Sequence, residues 1–472
     1  MAVPIHTSRR DFMKQGTAAL GAAALSSCPA PISLPNIILI VADDLGFADI
    51  GIQGAPDIDT PNIDRLGIDG IQFTRAYAGG AICAPSRSSL LSGRYAAMLG
   101  QYYNPPEGQE PPGWGLPLDV MNLGEFFSAE GYATGYIGKW HQGISPVQHP
   151  NVRGYAYFAG STGRPRHLMQ PFEGDPIHFQ TQINGTIVTE RAYVTEFYAA
   201  RAIDFVRTNQ STPFFLHWSD FAPHKPFLSN TEWNVPRAYL DRVAHIEDPA
   251  RRGYAATITA LDDGVGDLLA ELETLGILNN TLIIFTSDNG GDEAFASSGP
   301  YRGGKASPYE GGVRVPMLWH WPDRISTPDI LSFPMHHIDL WPTLGALPSP
   351  LGVSRSPNVD GVDLSPFVFG RQRERGPHER LFWSPVPSNA VIWEGPWKLL
   401  RVDRYNLTEL YNLEDDPSES RNLAQRLPDV VAQLNATLAD WRAGIAPPQW
   451  EPPAKAKWQA SPGLFAPPDD EG

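Results

Sequence analysis

The sequence predicts an α/β fold: a large, mainly parallel sheet flanked by helices, with a smaller C-terminal α+β subdomain. Three observations carry that reading. Apolar runs rich in β-branched and aromatic residues occur at 35–42, 213–218 and 281–286; each is too short for a buried helix and continuous enough for a strand covered on both faces. Between them lie stretches such as 256–275, whose apolar residues recur at helical spacing. After about residue 345 the character changes to a Pro- and Gly-rich passage (348–357) and then short strand-like segments.

At the N-terminus, Ser8-Arg9-Arg10-Asp11-Phe12 precedes a small-residue apolar run over 17–25. A basic segment followed by an apolar one reads as a bacterial twin-arginine-type signal over 1–28, outside the folded part. Leu25-Ser26-Ser27-Cys28 has the order of a lipoprotein cleavage box, which would make Cys28 a lipid anchor. Pro29 directly after it leaves simple cleavage nearby as the alternative. The expectation is an exported protein, periplasmic or lipid-anchored at the cell envelope, that uses the twin-arginine export machinery.

The run at 35–42 ends in Asp43-Asp44, and the run at 281–286 ends in Ser287-Asp288-Asn289-Gly290. Ligands of parallel sheets gather at the carboxyl ends of the strands, so two strands ending in acids make one shared cation site. Its hard oxygens suit Ca²⁺ or Mg²⁺ rather than zinc. Read in isolation, Asp43-Asp44 is better taken as a helix cap after a strand, and Asp288-Asn289-Gly290 as a turn. These strands and their helices make one region over 34–345. A subdomain over 346–445 follows, with strands at 380–384, 390–393 and 397–402 and a helix at 429–441. A Pro-rich tail occupies 446–472.

Across 472 residues, 36 Lys and Arg stand against 52 Asp and Glu, a formal net charge of −16. That balance argues against nucleic acid as a partner, but not against an anionic substrate, which responds to the local field of a pocket. The chain has two cysteines. With Cys28 removed or lipidated, Cys83 has no partner within the chain, a notable state for an oxidising compartment.

Cys83 opens the segment Cys83-Ala84-Pro85-Ser86-Arg87-Ser88-Ser89-Leu90-Leu91-Ser92-Gly93-Arg94. Pro85 and Ser86 suit the first turn of a helix, which sets Cys83 just before a helix N-terminus, where the dipole favours an anion. Arg87, about one turn on, could aim its guanidinium at the same anion. On these residues alone, a buried structural cysteine is the plainer reading. In Gly131-Tyr132-Ala133-Thr134-Gly135-Tyr136-Ile137-Gly138-Lys139-Trp140-His141, alternation along an extended segment puts Lys139 and His141 on one face. A Lys-x-His pair on its own is more often a solvated surface feature.

The 83–94 segment resembles the signature of the formylglycine-dependent sulfatases, the type I family of the alkaline-phosphatase-like superfamily. It matches at Cys83, Pro85, Ser86, Arg87, Leu90, Gly93 and Arg94, and contains the Cys-x-Pro-x-Arg core read by the formylglycine-generating enzyme. The 131–141 segment resembles the second family signature. Ala222-Pro223-His224-Lys225-Pro226 resembles the motif with a histidine near the leaving group. Gly303-Gly304-Lys305 and Tyr309-Glu310-Gly311-Gly312-Val313-Arg314-Val315-Pro316 resemble the loop of a second catalytic lysine. The likeness runs from Asn36 to about Ala424 and includes the tail motif at 409–413. It departs at Gln142, where Leu is usual, and at Ala156, where Asp is usual; both bear on subfamily and substrate.

The resemblance implies an alkaline-phosphatase-like fold and a sulfuric ester hydrolase. It implies that Cys83 becomes formylglycine (3-oxoalanine), whose hydrate is the nucleophile. Asp43, Asp44, Asp288 and Asn289, with residue 83, would hold Ca²⁺, with Mg²⁺ as the alternative. Arg87, Lys139 and Lys305 would stabilise charge, His224 would protonate the leaving group and His141 would act as base. The partners implied are a maturation enzyme and a sulfated polysaccharide or oligosaccharide. Loops at 101–115, 161–172 and 292–301 carry Tyr, Trp, Arg and His suited to sugars, or simply to loop packing. The alternatives are a phosphonate or phosphate monoester hydrolase and, if Cys83 is never converted, a non-catalytic sulfoglycan-binding protein.

Overall fold

A computed structural model describes Met1 and residues 34–105, 114–169, 177–226, 233–347, 358–370 and 376–450. The signal read at 1–28, with Cys28, lies outside these residues, as do 451–472 of the tail and parts of the 101–115 and 161–172 loops. The chain divides into compact units at Met1–Leu34 and Pro35–Gly472, and the fold described is that of the second.

Strand Asn36–Ala42 is buried at every position, as a central strand with helices over both faces must be. It pairs in parallel on both sides, with Ile38 opposite Leu216 and Ile283. The centre of a ten-stranded sheet is five parallel strands in the order Thr281–Ser287, Asn36–Ala42, Phe214–Ser219, Ala133–Lys139 and Tyr157–Ser161. Antiparallel pairing enters toward the edges, through Met317–His320 beside Thr281–Ser287 and Gln182–Ile183 beside Tyr157–Ser161. Helices Val194–Asn209 and Pro249–Thr274 pack apolar faces into one core with the sheet, including Tyr198, Ala202, Ile258 and Leu261. The second of these helices starts well before residue 256. Asp248 caps it by accepting from the Arg251 amide, and Pro249 fills its first turn. Because the central strands run in parallel, Asp43, Asp288 and Lys139 come to one edge of the sheet.

The C-terminal sheet is wholly antiparallel, in the order Arg380–Val386, Asn389–Glu394, Trp397–Val402 and Leu407–Asn412. The last strand is absent from the sequence reading; a left-handed turn at Asn406 (φ 49°) returns the chain to form it. Side chains alternate between two buried faces. Leu381, Trp383, Val391, Trp393, Leu400 and Tyr411 meet Tyr77, Tyr309 and Val313, next to the Lys305 loop. Phe382, Ile392, Leu399 and Leu410 meet Leu434 and Leu438 of helix Pro428–Arg442. Among the described residues, no helix is long and apolar enough to cross a membrane.

Candidate active site at the strand ends

The loops at the strand ends are tied to one another before any side chain acts. The Asp43 amide donates to Ala222 O (3.0 Å) and the Asp288 amide to Ala42 O (2.9 Å). Asp44 takes a left-handed conformation (φ 64°), and its amide donates to Asp288 Oδ1 (3.1 Å). Cys83 is the first residue of helix Cys83–Ser92, which is buried throughout and ends on Gly93 in the left-handed region (φ 70°). The helix start is fixed from three sides. Ser86 Oγ donates to Asp288 O, Asn104 Oδ1 accepts from the Ala84 amide (2.9 Å), and Gln142 Nε2 donates to Ala84 O (2.8 Å). Gln142, one of the two departures from the family pattern, thus braces the turn that carries Cys83.

Lys139 ends its strand fully buried, and His141 follows with φ 55°. The strand stops at Lys139, so the extended backbone does not continue through His141. The His141 amide donates to Thr162 O (3.0 Å), and the imidazole is buried with Nδ1 lacking a hydrogen-bond partner among the described residues.

The residues singled out in the sequence converge. Cys83 Sγ is 3.5 Å from Asp43 Oδ1 and 3.9 Å from Asp44 Oδ1. Lys139 Nζ lies 2.6 Å from Asp43 Oδ2, Lys305 Nζ bonds Asp44 Oδ2, and His224 Nε2 is 3.4 Å from Asp44 Oδ2. Arg87 grips Asp288 Oδ2 with Nε (2.9 Å) and Nη2 (2.7 Å) and approaches Asp43 at 3.5 Å. Arg87 therefore lies on the carboxylates, not at an open anion site beside Cys83. Asn289 Nδ2 donates to Asp44 Oδ1 (2.7 Å). All of these side chains are buried except Lys305, which is partly so.

Burial sets the protonation states. It pushes the Cys83 thiol up to about 12, against the pull of Lys139 and Lys305, so the group is a neutral thiol at ordinary pH. Burial, reinforced by Lys139 and Arg87, holds His141 well below the usual histidine range. Burial with Lys305 and Lys139 does the same to His224. Burial works against the Lys305 charge, but Asp44 outweighs it and raises the ammonium. His224 Nδ1 sits 2.7 Å from Lys225 O, and a carbonyl can only accept, so Nδ1 carries the hydrogen and Nε2 faces the site as a lone pair. To serve as a donor, His224 must first gain a proton at Nε2, which the negative charge of an incoming anion favours.

Three carboxylates (Asp43, Asp44, Asp288) offset three cations (Arg87, Lys139, Lys305), and each lysine is closed onto a carboxylate. Buried Asn289 Oδ1 has no hydrogen-bond partner among the described residues, a costly state for an amide oxygen. Asp43, Asp44, Cys83 and His224 each offer one donor atom, all within 4.8 Å of one another. Such a carboxylate and amide set fits a hard divalent cation, which would satisfy Asn289 and release the lysines toward a substrate. Tyr254 carries no signal in the sequence; its hydroxyl accepts from the Gly46 amide (3.0 Å) and donates to Asp49 (2.8 Å), steadying the Asp44 turn. Ser287, whose Oγ accepts from the Leu45 amide (3.0 Å), was legible only as the neighbour of Asp288.

Known proteins resemble the chain in both sequence and structure. Residues 35–347 match the family model described as Sulfatase. The chain is 34% identical over 467 residues to arylsulfatase A of Bos taurus, covering 87% of each. It is 33% identical to N-acetylgalactosamine-6-sulfatase of Sus scrofa, over 75% of this chain and 70% of the other. Among solved structures, that of Ps i-CgsB is similar with a TM-score of 0.82 and 32% identity, over 90% of this chain and 96% of that one. The same values hold for Ps i-CgsB in complex with k-i-k-neocarrahexaose.

Proposed function

The chain belongs to the sulfatase family, and on that premise we propose that it hydrolyses the sulfate ester of an O-sulfated carbohydrate, with formylglycine at position 83 beside a divalent cation. The observation that carries this reading is the convergence of Cys83, Asp43, Asp44, Lys139, Lys305 and His224 on one buried pocket at the strand ends. A neutral thiol held up at about 12 is a poor nucleophile, which favours an oxygen in its place. The aldehyde at residue 83, when formed and hydrated, supplies that oxygen and a second hydroxyl whose deprotonation drives release of sulfate.

Asp43, Asp44, Asp288 and Asn289 would hold the cation, which when bound supplies Lewis-acid stabilisation of charge on the reacting oxygens. Arg87 keeps Asp288 and Asp43 in place from behind. Lys139 and Lys305 turn from their carboxylates to the equatorial oxygens of the sulfate, where positive charge counts most in a dry pocket. His224 gives its Nε2 proton to the departing alcohol oxygen. His141, held neutral, accepts a proton from the hydroxyl of residue 83. A carbohydrate substrate is favoured by 32% identity to a protein whose structure was solved with k-i-k-neocarrahexaose, and by the N-acetylgalactosamine-6-sulfatase relatives. The leader read at 1–28 favours export to the cell envelope, which cell fractionation tests.

Mass spectrometry of the Cys83 peptide should find sulfur and two hydrogens replaced by one oxygen. Sulfated sugars should be turned over with higher kcat/KM than matched phosphate esters. An active enzyme with an intact thiol at 83 would overturn the nucleophile, and a preference for phosphate would overturn the substrate class.

A further inference from the structure

His167 touches none of the groups assigned a part in the reaction except one. It lies on the loop between strands Tyr157–Ser161 and Leu168–Met169 and is buried. Its Nε2 is 2.6 Å from the main-chain oxygen of His224. Since that carbonyl can only accept, Nε2 holds the hydrogen and donates. Nδ1 is buried with no hydrogen-bond partner among the described residues, so the ring is held by this one bond and by packing. One face meets Phe221 (ring centroids 4.8 Å apart), and Trp233 lies at 6.0 Å. Phe221 in turn stacks on the His224 ring, at 4.8 Å and 22°. His224 is thus fixed at its carbonyl by His167, on its face by Phe221 and at Nδ1 by Lys225 O. The same loop accepts the His141 amide at Thr162 O, so one short segment spans both histidines of the pocket.

We propose that His167 is a positioning residue for His224, setting the reach of its Nε2 toward the leaving oxygen without contacting substrate. The inference rests on His224 being the proton donor to the leaving group. A sugar alkoxide needs that proton and a nitrophenolate does not, so the effect of misplacing His224 must depend on the leaving group. A general loosening of the fold would slow both substrates alike.

The test compares His167→Phe, His167→Gln and His224→Ala on a sulfated sugar and on 4-nitrophenyl sulfate, with melting temperatures for each. His167→Phe keeps an aromatic ring but loses the donor. It should lower kcat for the sugar sulfate ~10- to 100-fold with little change in KM, and affect the nitrophenyl ester by less than ~3-fold. His167→Gln, whose amide nitrogen can stand where Nε2 stands, should recover most of the loss. Equal losses on both substrates in His167→Phe, or no rescue by a Gln variant of unchanged melting temperature, overturn the proposal while His224→Ala stays selective for the sugar. If His224→Ala is itself unselective, the donor assignment falls and the positioning role falls with it.

Discussion

Two buried charge clusters lie close together in this fold, and they are finished differently. At the strand ends, Asp43, Asp44 and Asp288 face Arg87, Lys139 and Lys305, and Asn289 Oδ1 is left without a partner. Beneath the C-terminal sheet, Lys398 Nζ sits 2.9 Å from both Glu310 Oε1 and Glu419 Oε1. Glu310 also accepts from Tyr77 (2.9 Å) and pairs with Arg314 (3.3 Å), and Glu419 accepts from the Glu310 amide (2.6 Å). Glu310 starts the short helix Glu310–Val313 just after the Lys305 loop, so this second cluster fastens the C-terminal sheet to the segment that carries Lys305. Burial of charge is common to both and does not mark function. What separates them is unspent capacity: an amide oxygen with no hydrogen-bond partner among the described residues, and lysines whose carboxylates a metal could take over.

The sharpest test of that contrast is Cys83→Ala, which should cut kcat/KM by ~10⁴-fold or more while leaving the melting temperature nearly unchanged. Glu310→Gln should do the reverse. It leaves Lys398 buried with one partner fewer and should cost ~3–5 kcal/mol of stability in denaturant titration, with activity following the folded fraction. Lys305→Ala should lower kcat/KM by ~10²- to 10³-fold, as for other lost electrostatic stabilisers, with a small effect on folding. Chelation followed by Ca²⁺ should raise stability by ~2.7 kcal/mol at a hundredfold excess over Kd, and Asp288→Asn should blunt that gain while Glu310→Gln should not.

The smallest effect concerns pH. Burial raises Glu419 to about 7, with Lys398 acting the other way. The folded state then keeps a proton that the unfolded chain gives up near 4.5, so this group's stabilisation is present below about pH 4.5 and is lost as pH rises to about 7. Buried His217, held down to about 3 by desolvation, contributes with the opposite slope below about pH 6.5. The difference between wild type and Glu419→Gln isolates the first group, at no more than ~1.4 kcal/mol per pH unit. Parallel stability curves for the two would remove it.

The central strands were legible because a strand buried on both faces is an unbroken apolar run, as at 35–42 and 281–286. The acids at their ends were legible for the same reason, since the run stops where solvated chemistry begins. The likeness to known sulfatases then joined these ends to Cys83 and Lys139. Four things escaped. The left-handed backbone of His141 is one, since no period-2 pattern reveals it. Strand Leu407–Asn412 was visible as a motif, but its pairing depends on the turn at Asn406. The partners Glu310, Lys398 and Glu419 are far apart in sequence, each ordinary as a surface charge until the sheet closes over them. His167 is hidden likewise, because its partner is a main-chain oxygen.

The depth of Cys83 also bears on when the residue can be modified. Its side chain is 1% exposed, roofed by the Lys305 loop, whose Ala306 amide bonds Ala81 O, and braced by Gln142. If a separate enzyme rebuilds this residue, as proposed above, such burial favours conversion before these segments pack. A molecule that folds ahead of its maturation partner would be locked as a stable, inert thiol form, and the yield of working enzyme would be decided by a race and not by an equilibrium.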